Sequence, residues 1–397
     1  MLFEALQARY GDCLFITLPG NGPGRPIRLL IDGGPSGVFR TALKKRLDDE
    51  AKAFPAEKPL AIDAVMISHI DEDHILGVLD MFAAIQDADQ RHAPRTWQPK
   101  WLLHNSFDAI LGDGEGGVAR SLGTGNTVLA GLGGEMGLPE GGELSHTAKL
   151  VLQSYGQGSK LASLSAALKI ARNPPDQQPL SFVTAKPRVL QMGAATLTIV
   201  GPLQKEIDKL RKEWAKWKAS QKDPKATQSL AAYVDESVPN LSSIVVMLQS
   251  EGHSALLTGD ARADYVMTGL EEAGYLPVGG KMHVDILKLP HHGSARNIDL
   301  PFLDRVHADH YVASGDGTYG NPDRETLEMI EKARPDGGYT VHLTYPAADC
   351  DTTHQAWAKD RKSAKYTPAK NSIAQVVARW RDEGKIKVVE GPVKIEL

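Results

Sequence analysis

Along the first hundred positions, apolar and polar residues alternate with a two-residue period and then give way to runs that repeat every three or four. Residues 2–8, 13–18 and 27–31 read as strands, the last running into "DGG", and 39–53 carries a helical pattern. The run "AVMIS" (64–68) reads as a buried strand, with the charged cluster "HIDEDH" (69–74) set in the turn at its C-terminal end. "GVLDMFAAIQ" (77–86) predicts a helix and "KWLLHNS" (100–106) a short strand. The pattern fades over 112–142, a glycine-rich stretch that suits either a binding loop or an insertion without a role. Residues 150–170 have helical periodicity broken near "YGQGS" (155–159), and "RVLQMGAATLTIVGP" (188–202) reads as a hairpin.

Over 203–225 lysines are mixed with Trp214 and Trp217, a combination able to grip a single nucleic-acid strand. Ile207, Leu210, Trp214 and Trp217 nevertheless step by three, four and three, which is one helical stripe and favours packing on the body of the protein. Alternation returns in the last third. "SSIVVMLQSEGHSALLTGD" is a hairpin, "ARADYVMTGLEEAG" a helix, and "VDILKLPHHGS" a strand ending in histidines. "PFLDRVH" reads as helix, "HYVASGD" as strand and "PDRETLEMIEKAR" as helix, with "YTVHLTY" and "GPVKIEL" as the final strands. Hairpins beside β–α alternation predict an α/β protein with two sheets flanked by helices.

Composition narrows the function classes only a little. The 397 residues, 42% hydrophobic and 24% charged, suit one large domain with insertions or a main domain with a small one. The expectation is a single domain over 1–397, with insertions over 112–187 and 203–238. A net charge of −4 announces no global attraction to nucleic acid or to an anionic membrane, although a local basic surface is compatible with it. The N-terminus has no signal-peptide pattern, and no apolar run approaches the roughly 20 residues that cross a bilayer, so a cytoplasmic protein without a membrane partner is expected. Cys13 and Cys350 are too few and too far apart for a disulfide framework or a thiolate metal site; Cys13 reads as a core thiol.

The chemistry collects at strand ends. His69, Asp71, Asp73 and His74 form H-x-D-x-D-H, two imidazoles and two carboxylates in six positions. Such donors suit a borderline or moderately hard divalent ion such as zinc, manganese or iron. Unneutralised, Asp71, Glu72 and Asp73 would repel one another, a cost that a cation removes. Helix capping would account for one aspartate and for neither histidine.

In order along the chain, "YGDCLFI", "LIDGG", "SHIDEDHILG", "NLSSIVVML", "ALLTGD", "DILKLPHHGS" and "YGNPDRETLEMI" resemble the motifs of metallo-β-lactamase-fold hydrolases. The resemblance is nearest to the nuclease-like domain of the competence DNA-uptake protein ComEC. It implies a four-layer αββα sandwich with one or two divalent ions, zinc or manganese, at one edge. It further implies His69 and Asp71 on one metal, Asp73 and His74 on the other, Asp260 bridging both, and His291 or His292 completing the second site. His292 is favoured as the ligand and His291 as a contact to substrate or leaving group. Asp32 would orient the ligands by hydrogen bonding, and Asp73 would also take up the proton of the attacking water. His104, in "KWLLHNS", is the candidate for a further metal ligand, with a histidine that supports the ligands or belongs to the core as the alternative. His92, His146, His253, His283 and His354 read as surface or packing residues.

Two departures bear on substrate. Asp71 stands where most members of the fold have histidine, which moves metal preference toward harder ions and counts against lactam hydrolysis. Asn321 and Leu241 differ from the ComEC-type pattern at positions expected near the site. A divalent ion lowers the pKa of bound water to about 7, and two ions clamp the attacking and leaving oxygens. The leading expectation is a phosphodiesterase or nuclease acting on nucleic acid or a nucleotide-like phosphodiester. The alternatives are hydrolysis of a small ester, lactone or phosphocholine-type ester, and a non-enzymatic sensor or scaffold in a bacterial defence or toxin system. There is no phosphate-binding loop, no dinucleotide fingerprint and no G-x-S-x-G elbow.

Overall fold

The computed structural model describes residues 1–20, 24–112, 146–184, 186–219, 243–361 and 365–397, without the side chains of 146–155, 213, 214, 217 and 218. The glycine-rich stretch beyond Gly112, Asn240 and Leu241, and the side chains of His146, Trp214 and Trp217 therefore lie outside the described residues.

The strands are β1 Leu2–Ala5, β2 Leu14–Leu18, β3 Ile27–Ile31, β4 Leu60–Met66, β5 Trp97–Leu103, β6 Ala171–Arg172, β7 Val189–Met192 and β8 Ala195–Gly201. They continue with β9 Val245–Ser250, β10 His253–Leu257, β11 Met282–Lys288, β12 Val306–Ala313, β13 Thr340–Leu343, β14 Lys387–Glu390 and β15 Val393–Glu396. Among the described residues they form a seven-stranded sheet, β15-β1-β2-β3-β4-β5-β6, and an eight-stranded sheet, β14-β13-β12-β11-β10-β9-β8-β7. The helices are α1 Lys44–Ala53, α2 Glu72–Gln90, α3 Phe107–Leu111, α4 His146–Ala167, α5 Gln204–Ala219 and α6 Ala263–Glu272. After them come α7 Leu300–Arg305, α8 Arg324–Ala333, α9 Ala347–Lys359, α10 Pro368–Asn371 and α11 Ile373–Glu383.

Three apolar layers follow from the two-residue period. On β2, Leu14, Ile16 and Leu18 face a core between the sheets that also holds Leu197, Ile199, Val246, Leu248 and Ile286. Phe15, on the opposite face, packs with Leu47 of α1, Val78 and Phe82 of α2 and Leu161 of α4. On the other side, Met247, Leu256 and Val341 meet Leu270 of α6, Phe302 of α7, Leu327 of α8 and Trp380 of α11. Helices cover both outer faces, so the architecture is the four-layer αββα sandwich. Each fully buried large apolar side chain contributes roughly 1.5–3 kcal/mol, and most of the stability comes from these three layers.

The strands and hairpins follow the sequence pattern closely, with three differences. The helix expected from Gly77 starts earlier, at Glu72, so Asp73 and His74 sit in its first turn and not in a preceding loop. Helix α4 runs unbroken through "YGQGS". Its Gly158 lies against the chain beside it, where an added Cβ would meet Ile70 Cγ2 at 3.0 Å and His104 Cε1 at 3.7 Å. The glycine there allows close packing and marks no break. Finally, α3, α9, α10, α11, β6 and β14 have no counterpart in the sequence reading. Ile207 and Leu210 of α5 are buried, as the helical stripe requires, and among the described residues no helix is long and apolar enough to cross a membrane.

Candidate metal centre

Each sheet passes from antiparallel to parallel pairing at one strand. In the first sheet β2 pairs antiparallel with β3, and β3 parallel with β4. In the second, β9 pairs antiparallel with β10, and β10 parallel with β11. Connections diverge at such a strand, and the crevice opens beyond the C-terminal ends of the strands there. Asp32 follows β3, His69 follows β4, Asp260 follows β10, and His291 and His292 follow β11. The topology therefore brings together polar residues that lie far apart in the chain.

The first sheet's contribution is locked by short contacts. Ser68 donates its backbone N–H to Asp32 Oδ1 at 2.8 Å and its hydroxyl to Asp32 Oδ2 at 2.7 Å. Asp32 Oδ2 also lies 2.8 Å from His74 Nδ1, which turns the Nε2 of His74 into the crevice. Gly33 and Gly77 let the first turns of α2 back onto the end of β3. A Cβ on Gly77 would stand 2.0 Å from the Gly33 carbonyl oxygen, and Gly33 N–H donates to the His74 carbonyl at 2.7 Å. Asp71 occupies the N-cap position of α2, yet its side chain makes no capping bond. Its carboxylate turns toward His69, with Oδ2 3.6 Å from Nε2.

The second sheet supplies the facing groups. Asp260 Oδ2 is 3.5 Å from His69 Nε2 and 3.5 Å from His291 Nε2. Its Oδ1 is 3.4 Å from His74 Nε2 and 3.8 Å from His292 Nε2. Asp73 closes that side, with Oδ2 3.2 Å from His292 Nε2 and Oδ1 3.8 Å from His74 Nε2. One carboxylate thus faces two histidines at each oxygen, His69 and His291 at Oδ2 and His74 and His292 at Oδ1, with Asp71 beside His69 and Asp73 beside His74 and His292.

The donors fit a cation. His69 Nε2, His74 Nε2 and Asp260 Oδ1 are buried without hydrogen-bond partners, an arrangement that is costly unless something is bound between them. Two ligands about 2.1 Å from one ion at a tetrahedral angle stand about 3.4 Å apart, close to the spacings found here. The titration behaviour is that of opposite charges packed together. His74 is pushed well above its usual range because Asp260, Asp73 and Asp32 outweigh its burial. His292 is pushed up to about 9, burial being overcome by Asp12 and Asp260. Burial would raise the Asp260 carboxyl, but the facing imidazoles, His291 and His74 foremost, hold it well below the carboxylate range. Imidazoles and thiol-free carboxylates in this proportion form a buried Asp/His cluster able to bind metal ions.

A second support lies behind His292. Its Nδ1 is 3.0 Å from Ser314 Oγ and 3.5 Å from Asp12 Oδ1. Ser314 donates to Asp12 Oδ1, and the Lys288 ammonium lies 2.8 Å from Asp12 Oδ2. Both oxygens of Asp12 are thus engaged, and Asp12 faces the outer nitrogen of His292. It positions that ring from behind, and its carboxylate lies within reach of the His74, Asp260 and His292 donors. Asp12, Lys288, Ser68 and Ser314 were not assigned any role from the sequence. A lysine inside the apolar run "DILKL" was the available signal, since an ammonium is almost never fully buried unless paired.

His104 is not drawn into the cluster. It is buried, with Nε2 3.3 Å from the Gly158 carbonyl, and burial pushes its pKa down to about 4. Of its two readings the structure matches the core histidine. His291 and His292 both reach the cluster but differ in exposure: the His292 side chain is 2% exposed and the His291 side chain 37%. His291 Nδ1 is 2.9 Å from Asn297 Oδ1, while Asn297 Nδ2 donates to the Asp260 carbonyl at 2.8 Å. Among the other histidines, His253 pairs with Asp285 and His283 with Asp309, and His354 packs on Trp357 and Tyr366. Cys13 and Cys350 are buried and free. Asn321 closes the loop beside His292, its carbonyl accepting the Gly317 N–H at 3.0 Å.

No protein-family model matches the chain. Among curated proteins, 122 residues are 29% identical to human microtubule-associated protein 1A and 121 residues are 30% identical to the mouse protein, covering 29% and 28% of this chain. The chain spans only 4% of the length of those relatives. Among solved structures, CmlA, a diiron beta-hydroxylase from Streptomyces venezuelae, is similar with a TM-score of 0.37 and 12% identity, over 100% of this chain and 54% of that one. The metallo-beta-lactamase fold protein YhfI from Bacillus subtilis is similar with a TM-score of 0.35 and 10% identity, over 100% of this chain and 99% of that one.

Proposed function

We propose that the chain is a metal-dependent phosphodiesterase that cleaves nucleic acid or a nucleotide-like phosphodiester. The observation that carries this reading is Asp260, one buried carboxylate with a different pair of histidines at each oxygen. In this reading His69, Asp71, Asp73, His74, Asp260 and His292 hold one or two divalent ions, zinc or manganese. Such ions polarise the phosphoryl oxygens and supply a nucleophile at neutral pH, and a pair of them clamps both oxygens of an in-line displacement.

The chain's own groups do the rest. Asp32 fixes His74 through Nδ1, and Ser314 with Asp12 fixes His292 through Nδ1, so both rings present Nε2 to the crevice. The amide nitrogen of Asn297 is committed to the Asp260 carbonyl, so its oxygen accepts the His291 Nδ1–H. With Nδ1–H held in this way, His291 in its doubly protonated form gives the Nε2 proton to the departing oxygen, at the exposed rim where substrate enters, and is left as the neutral ring bonded to Asn297. Asp73, between His74 and His292, takes up the proton of the attacking water. The carboxylates Asp71, Asp73 and Asp260 favour harder ions and a diester over a lactam.

The test is hydrolysis of single-stranded DNA, RNA, cyclic dinucleotides and a chromogenic bis-phosphodiester with added manganese or zinc. Activity is expected on at least one of them, with His74→Ala and Asp260→Ala abolishing it; full activity in both variants would sink the reading. Steep loss of activity with rising salt would mark a polymer substrate, since each phosphate contact releases counterions, whereas a small ester would respond little.

A further inference from the structure

Beside the donor cluster stands a row of aromatic rings that the chemistry above leaves without a role. Tyr10 and Tyr319 meet edge to face with centroids 5.3 Å apart, and Tyr319 meets Trp357 of α9 at 5.9 Å. Guanidinium groups lie over the same rings: Arg9 is 5.1 Å from the centre of Tyr10, and Arg361 is 4.9 Å from that of Trp357 and 5.9 Å from that of Tyr319. Tyr319 is 51% exposed, the one aromatic among the exposed large hydrophobic side chains of the described residues.

Two contacts place this row at the crevice. Asp12, two residues from Tyr10, donates its N–H to the Asp73 carbonyl at 3.2 Å. Gly315, which opens the loop carrying Tyr319, lies where an added Cβ would come within 3.5 Å of His292 Cβ. The chain segments that carry Tyr10 and Tyr319 therefore border Asp73 and His292. Tyr319 also adopts φ +65°, a left-handed conformation it shares with Asp32, His291 and His292 at the same crevice. Strain of this kind persists where the surroundings impose it, and it collects at binding and catalytic sites. Here it holds a large ring out toward solvent.

We propose that Tyr319, together with Tyr10, Trp357 and Arg361, forms a stacking subsite for a nucleobase of the phosphodiester cleaved at the donor cluster. The proposal rests on the phosphodiesterase reading and names the substrate class as base-bearing. An aromatic face binds any base, because every base presents a π surface, and arginine planes add stacking and neutralise flanking phosphate. The same rings could in principle hold a quaternary ammonium, as aromatic cages do. The positive charge of Arg9 and Arg361 beside these rings would repel a choline-type head, so the charge favours an anionic aromatic ligand.

The experiment compares thymidine 5′-(p-nitrophenyl phosphate) with methyl p-nitrophenyl phosphate in wild type, Tyr319→Ala and Tyr319→Phe, all with manganese. It adds quenching of 2-aminopurine nucleoside monophosphate fluorescence as a binding readout. Tyr319→Ala should raise KM for the thymidine ester roughly 5- to 100-fold with kcat little changed, and weaken quenching by a like factor. The methyl ester should show unchanged kcat/KM, and Tyr319→Phe should behave as wild type. An equal loss on both esters, or no loss on the thymidine ester and undiminished quenching in Tyr319→Ala, would overturn the subsite. Quenching that needs Tyr319, in a protein that cleaves neither ester, would uphold the subsite and reject the phosphodiesterase reading. Competition by an oligothymidylate and by a cyclic dinucleotide, each weaker against Tyr319→Ala, would support the subsite and show which source of bases it prefers.

Discussion

The two halves of the donor cluster are built by different means. On the first sheet, His69, Asp71, Asp73 and His74 come from six consecutive positions, and His74 is steadied by Asp32 and Ser68 of the same sheet. On the second sheet, Asp260 and His292 come from separate loops, and the support for His292 reaches across from the β1–β2 connection of the other sheet. That support, Asp12, is a buried carboxylate neutralised by Lys288, which is itself buried at the end of β11. The first half is held by local hydrogen bonds. The second is held by an ion pair that ties one sheet to the other, so there the positioning of a ligand and the stability of the sandwich are coupled.

Breaking the ion pair should have the largest effect. Lys288→Met removes the ammonium from the buried Asp12 carboxylate, leaving only Ser314 and His292 against it, and should cost about 3–5 kcal/mol of stability in urea melts of the metal-free protein. Adding Asp12→Asn should restore much of that stability while leaving divalent-metal affinity reduced. Asp32→Asn should behave in the opposite way, lowering metal affinity about 10- to 100-fold with a smaller change in the melt. Equal stability losses in Lys288→Met and Asp32→Asn would remove the distinction between the halves.

The smallest effect concerns His104, a buried histidine that serves neither half. Its folded pKa is about 4 against an ordinary value of 6.5, so the unfolded chain binds the extra proton. Stability from this group is present above pH 6.5 and is lost as the pH falls toward 4. By linkage the loss between pH 7 and pH 6 is somewhat under about 1 kcal/mol. Wild type with chelator present should lose that much more than His104→Gln over this interval. The same slope in both would mean that the ring is not kept neutral by burial.

The first half of the cluster was legible in the sequence because its chemistry is written in adjacent letters. H-x-D-x-D-H after an apolar strand has no simple packing explanation. Asp260 and the "HH" pair were legible only through a resemblance, since nothing local in "TGD" or "PHHG" announces a donor. The sandwich was legible because alternation at β2, β3, β9 and β10 is nearly uninterrupted. Helix α9 was not, because its buried positions Ala347, Cys350, His354 and Ala358 keep helical spacing but are small or polar. The Asp12–Lys288 pair was invisible for another reason: each residue alone breaks a pattern, and only the packed sheets show that they answer each other. Gly158 misled in the same way, since a glycine that ends one helix and a glycine that lets two elements touch are the same letter.

The account stands on Asp260 serving two groups of donors at once, and metal content tests it most directly. After saturation with manganese or zinc and removal of free ion, wild type should retain one or two divalent ions per chain, and Asp260→Ala, checked for a native fold by circular dichroism, should retain fewer than wild type. Wild type that retains none, or an Asp260→Ala variant that retains as much as wild type, would contradict it.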